Sequence, residues 1–154
     1  MMFITHLVFG FLVALISITY FEVPNNFIFI SIIVFSSIVA DIDKMSSKIG
    51  SKVRPLSFLL ELLFGHRGLM HTIYVPIAVF IVLSIFNYQL IGFAFLLGFI
   101  SHLLIDSLNI KGISFLKPFH KFHISGFIKT GGILEYVLLT SILITIVLMV
   151  DVIF

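Results

Sequence analysis

The sequence predicts an all-α polytopic membrane protein with about five transmembrane helices and one short interfacial helix. Three observations predict it. Of the 154 residues, 60% are hydrophobic and only 10% charged, where a soluble domain is about half apolar and a quarter charged. The mean hydropathy of +1.28 is concentrated in long runs separated by polar segments. All 9 Lys and Arg residues fall in two of the connections between those runs. The length suits a single membrane-embedded domain over 1–154. Cys is absent, which excludes disulfides, thiolate zinc sites and cysteine nucleophiles. A formal charge of +2 is too small to point to nucleic acid; the position of the charges matters more.

Phe3–Phe21, Leu69–Phe86, Leu90–Leu108 and Ile133–Phe154 each meet the requirement of about 17–25 mostly apolar residues for a span. Phe27–Ala40 is shorter but apolar apart from Ser31, Ser36 and Ser37, and is read as a span running into Asp41. Pro24-Asn25-Asn26 and Asn87-Tyr88-Gln89 read as tight turns. The first run lacks a basic n-region and a small-residue cleavage site, so a retained helix is expected. Lys44, Lys48, Lys52, Arg54 and Arg67 lie between the second and third spans, and Lys111, Lys117, Lys121 and Lys129 between the fourth and fifth. The positive-inside rule then places both loops in the cytoplasm, the N-terminus inside and the C-terminus outside an inner membrane. Pro55–Phe64, apolar around Ser57 and Glu61, is expected to lie as a helix in the interface.

Oriented this way, every span brings a His, Asp or Glu to the same leaflet. His6 lies near the start of the first span and Asp41 and Asp43 at the end of the second. His66 and His71 flank the start of the third, His102 and Asp106 lie toward the end of the fourth, and Glu135 opens the fifth. At about 1.5 Å rise per residue, His102 lies roughly 18 Å beyond Leu90, inside the apolar slab, where ionisable groups are functional candidates by default. His102 and Asp106 are i, i+4 on one helical face, so they can share an ion or Asp106 can orient the imidazole. Asp41 and Asp43 can converge only off a helix. Gly65 and Gly68 put His66 in a turn ahead of His71. The set His6, Asp41, Asp43, His66, His71, His102, Asp106 and Glu135 offers nitrogen and oxygen without sulfur, which suits Zn²⁺, or Mn²⁺ with more carboxylate ligation. It is large enough for two ions sharing a bridging carboxylate. Glu61 reads as a solvated face, and His120 and His123 as part of an interfacial aromatic–basic anchor.

Thr5-His6-Leu7, Ala40-Asp41-Ile42-Asp43, Gly65-His66-Arg67-Gly68-Leu69-Met70-His71-Thr72 and Gly98-Phe99-Ile100-Ser101-His102-Leu103-Leu104-Ile105-Asp106 resemble the YdjM-like family of bacterial and archaeal membrane-bound metal-dependent hydrolases, some of them described as LexA-regulated. The likeness spans nearly the whole chain. Family members often have Pro before the first Asp and Thr before the second His of the third block; here Ala40 and Met70 stand there. The order His, Asp, His, then His-x-x-x-Asp also looks like that of zinc-dependent phospholipase C enzymes. That likeness implies His6, Asp41, His71, His102 and Asp106 as ligands, with Asp43 or His66 a further ligand or the base.

The expected function is hydrolysis of a phosphoester on a lipid or lipid-linked substrate by metal-activated water at the cytoplasmic leaflet. Asp43 or Glu135 is expected as general base, and Arg67 as the group steadying the developing charge. Two other classes compete: a metal or proton carrier, which needs ionisable groups through the membrane's depth, and a scaffold whose polar cluster only joins helices.

Overall fold

The computed structural model describes residues 1–45, 47–64, 69–120 and 122–153. Among them are six α-helices: α1 (Phe3–Tyr20), α2 (Asn26–Val39), α3 (Arg54–Phe64), α4 (Tyr74–Ile85), α5 (Gln89–Ser107) and α6 (Ile133–Ile153). Short 3₁₀ turns at Ala40–Asp43, Gly50–Lys52 and Leu69–His71 join the first four. Four stretches are long and apolar enough to cross a membrane: α1, α5, α6 through Asp151, and α2 with the turn that extends it to Asp43.

The third expected span is corrected. Instead of a helix from Leu69, the chain makes a 3₁₀ turn over Leu69–His71 and only the 12 residues of α4 are helical. Pro76 explains the late start. A proline lacks the N–H that a helix interior needs and is tolerated in the first turn, which is where α4 holds it. The consequence matters for the site, because His71 is carried by a turn and not by the helix.

α1 and α2 form one hairpin, its turn closed by the Asn25 carboxamide accepting from Ile28 N at 3.0 Å, an N-cap that satisfies a free helix donor. α4 and α5 form the second, through Asn87 at φ +63°, a left-handed conformation that Asn tolerates better than most residues. α1, α2 and α5 pack together at the centre, α4 against α5 and α6 against α1. Ala14, Phe29, Ile33 and Ala94 fill the core between the central three.

Small residues set how closely those three approach. A Cβ on Gly98 would lie 2.0 Å from Ser36 Oγ and 2.1 Å from the Ile33 carbonyl oxygen, and one on Gly10 would lie 2.4 Å from Ser37 Oγ. Within lipid the hydrophobic effect does not drive helices together, so close packing through small residues takes its place. Several hydroxyls in the slab turn back onto their own helix, as Ser17 does to the Val13 carbonyl at 2.7 Å and Thr140 to that of Tyr136 at 2.8 Å. Each such bond keeps that hydroxyl from standing bare in an apolar medium.

α6 exposes Leu134, Val137, Ile144, Val147 and Leu148, the surface expected where lipid is the neighbour. α3 leaves Leu56, Phe58, Leu59 and Leu62 exposed while Ser57 is buried and donates to the Gly50 carbonyl at 3.0 Å. It thus shows apolar side chains outward, as an interfacial helix would. The α5–α6 connection folds back on itself through Ile113–Ile124 and Asn109–Ile128 bridges.

Candidate metal centre

The described ionisable residues expected at the site, Glu135 apart, meet at one end of the bundle, brought there by four separate elements. His6 comes from the first turn of α1. Asp41 and Asp43 come from the 3₁₀ turn after α2, His71 from the turn before α4, and His102 and Asp106 from the last turns of α5. His6, Asp43, His71, His102 and Asp106 are buried and Asp41 is half-buried.

The orientation of each imidazole follows from what its Nδ1 meets. His102 Nδ1 lies 2.8 Å from the carbonyl oxygen of Ser37. A carbonyl only accepts, so Nδ1 carries the proton and the neutral ring directs the lone pair of Nε2 inward. His71 Nδ1 lies 3.1 Å from Asp43 Oδ2, and a carboxylate imposes the same tautomer. The two Nε2 atoms therefore confront each other at 3.4 Å. In the neutral rings neither holds a proton. Asp106 Oδ2 is 3.7 Å from His71 Nε2, a third electron-rich atom.

This donor set fits a divalent cation. Two Zn–N bonds of about 2.05 Å at the tetrahedral angle hold their nitrogens about 3.3 Å apart, close to the observed 3.4 Å. His71, His102 and Asp106 each offer a ligand atom within 4.8 Å of the others, and His6, Asp41 and His102 form a second such group. His6 supports the fit from another direction. Among the described residues both its buried ring nitrogens lack a hydrogen-bond partner, although Nε2 lies 3.3 Å from Asp106 Oδ1. A buried polar atom left bare costs about 1–3 kcal/mol, a cost that coordination would remove. Its ring stacks on His102 with centroids 4.0 Å apart. The Met1 amino group also lies 2.6 Å from Asp106 Oδ1.

Not every expected residue joins this group. Glu135 is fully buried but otherwise engaged: Oε1 accepts from Met2 N at 2.6 Å and Thr5 Oγ1 at 3.0 Å, and Oε2 from Gly131 N at 2.7 Å. A carboxylate that ties the start of α6 to the start of α1 through two donors, and to its own preceding turn through a third, is a structural brace, and this geometry favours that role over the expected one of general base. His66 and Arg67 lie outside the described residues. Glu61 accepts from Met45 N at 3.0 Å, away from the centre. His120 and His123 are exposed in the long connection, with His123 Nδ1 3.1 Å from Ser114 Oγ.

Sequence reasoning missed Ser37. Its carbonyl fixes His102, and its hydroxyl is shared between the carbonyls of Val34 at 2.8 Å and His6 at 3.2 Å. One residue of α2 thus gauges both α1 and α5. The available signal was a Ser pair opposite Gly10 and Gly98, a pattern of helices in close contact.

A family model, the YdjM inner membrane protein, matches residues 1–153. The chain belongs to the YdjM inner membrane protein family. It is accordingly a membrane protein, and the candidate ligands His6, Asp41, His71, His102 and Asp106 fall on the motifs by which the sequence resembles that family. The chain is also 29% identical over 108 residues to the uncharacterized protein YvsG of Bacillus subtilis (strain 168), covering 69% of this chain and 68% of that protein. No solved structure matches. The match is to the YdjM family; the likeness to zinc-dependent phospholipase C finds no counterpart in these comparisons.

Proposed function

We propose that the chain is a membrane-embedded, metal-dependent hydrolase acting on a phosphoester of a lipid or lipid-linked substrate at the cytoplasmic leaflet. One observation carries the reading: two imidazole Nε2 atoms of fixed tautomer face each other at 3.4 Å beside the Asp106 carboxylate, so that three buried ligand atoms lie within reach of one ion.

His71, His102 and Asp106 would hold one ion, with Zn²⁺ suited to a nitrogen-rich set. Asp106, with Oδ1 3.3 Å from His6 and Oδ2 3.7 Å from His71, could serve a second ion as well, which His6 and Asp41 would help to hold. A bound divalent ion supplies Lewis acidity and makes water a nucleophile near neutral pH. The chain's own contribution is positional. Asp43 holds His71, and Ser37 holds His102. The surrounding helices exclude bulk water. Arg67 keeps its proposed role of steadying the developing charge. A carrier would need ionisable groups spread through the membrane's depth, whereas Glu22 and Asp151 at the opposite end are exposed.

Elemental analysis of the purified protein, paired with phosphoester hydrolysis with and without chelator, tests this. About one or two zinc or manganese ions per chain and loss of activity on chelation are expected. His102→Ala should stay folded and lose both metal and turnover. Activity indifferent to chelation would end the metal mechanism.

A further inference from the structure

A cavity of about 800 Å³ opens onto the metal centre. Asp41 and Asp106 stand at its inner wall, and Lys44, Lys48, Lys111 and Lys129 line it from both basic loops. These lysines are far apart in sequence, two after α2 and two after α5, so folding gathers them. Among the described residues none of the four forms an ion pair. Lys48 lies over the Phe3 ring, 5.2 Å from its centroid, which anchors its stem beside the opening. The remaining wall includes Phe3, Ile4 and Ile110, with Ile4 and Ile110 partly exposed on the outside of the bundle.

Resting on the hydrolase reading, we propose that this cavity selects a lipid carrying a terminal phosphate monoester, and that the four lysines receive its dianion. Three features support that choice. Four unpaired cations converge where two carboxylates already face inward, so a ligand must bring negative charge to the lysines. A monoester phosphate brings about two charges and three acceptor oxygens, whereas a zwitterionic headgroup brings a cation that this rim would repel. The apolar wall beside Ile4 and Ile110 gives the attached chains a route into lipid, which a soluble phosphate would not use. With phosphate seated among the lysines, its ester oxygen comes toward Asp106 and the metal ligands. Hydrolysis would place water's oxygen on phosphorus, break the phosphorus–oxygen ester bond and return a proton to the departing alkoxide, leaving a neutral lipid alcohol and inorganic phosphate.

Binding measured apart from turnover separates this proposal from the one beneath it. The full chain in detergent would be titrated with dioctanoyl phosphatidic acid, dioctanoyl phosphatidylcholine and glycerol 3-phosphate, following thermal stabilisation. The proposal expects saturable stabilisation by phosphatidic acid, little by phosphatidylcholine, and weak binding of glycerol 3-phosphate. At roughly the attraction expected of each lysine near a charged headgroup, the double variant K44Q/K111Q should bind phosphatidic acid about thirtyfold more weakly. K52Q/K117Q removes two exposed lysines outside the cavity and should bind as the wild type does. Equal binding of the two lipids, or equal loss in both lysine pairs, would overturn the selectivity. Equal affinity for glycerol 3-phosphate would overturn the lipid part. None of these results touches metal content or chelator sensitivity, on which the hydrolase reading stands separately.

Discussion

The two nitrogens of His102 have different duties, one spent on the Ser37 carbonyl at 2.8 Å and one facing His71 Nε2 at 3.4 Å. His71 repeats the pattern with Asp43 in place of the carbonyl. Asp43 therefore acts as a positioning residue, holding the His71 ring. Outer partners of this kind are typically worth 10–100-fold in metal affinity. Asp43→Asn keeps an acceptor for Nδ1 but gives up the charge, so metal affinity should fall about tenfold, with folding kept. Competition against a chromogenic chelator would measure it. An unchanged affinity with lost turnover would instead return Asp43 to the role of base. Glu135 admits an equally clean separation. Glu135→Ala leaves three donors without their acceptor, at about 1–3 kcal/mol for each buried group, and should lower the melting temperature markedly. Glu135→Gln keeps the acceptor for Met2 and Thr5 and should cost much less stability, with turnover retained. A folded Glu135→Gln protein devoid of activity would show that the brace is also a base.

Between helices, the site depends on backbone proximity more than on side-chain chemistry. Gly98 lets α5 lie against the Ile33 carbonyl, and Gly10 lets α1 lie against Ser37. Those two contacts bring His102 and His6 to the same carbonyl–hydroxyl pair. Gly98→Ala places a methyl group 2.1 Å from a backbone oxygen that cannot swing aside. Overpacking of this kind costs about 1–3 kcal/mol. A lower melting temperature and weaker metal binding together are expected, whereas Leu148→Ala on the exposed face of α6 should change neither. The same elements show how much was legible in advance. Apolar run length located α1, α2, α5 and α6 within a few residues, because a helix in lipid must satisfy its own backbone and declares its length in the sequence. The span through α4 was overdrawn because hydropathy does not register that Pro76 must sit in a first turn. The candidate ligands His6, Asp41, His71, His102 and Asp106 were legible as ionisable groups that an apolar environment does not hold without a use. Ser37 was not, since its contribution is a backbone carbonyl and any residue carries one. Nor was the brace role of Glu135, which depends on where Met2 and Gly131 fall after folding.

Across the whole molecule, charge and chemistry share one end. Four lysines, two from each long connection, line the cavity, and the buried carboxylates and imidazoles lie just beneath it. This common placement ties the mechanism to membrane orientation. If the basic loops are retained in the cytoplasm, the metal centre draws its substrate from the inner leaflet, whose anionic lipids attract such a rim. The chain has 0 Cys residues, so single cysteines report sidedness without background. Glu22 lies in the turn between α1 and α2 and Lys117 in the long connection before α6, both exposed. In intact cells a membrane-impermeant maleimide should label Glu22→Cys, and should reach Lys117→Cys only after the membrane is opened. The reverse pattern would move the site to the external leaflet. The ligand geometry would survive that result, but the substrate would then have to come from the lipids of the other face.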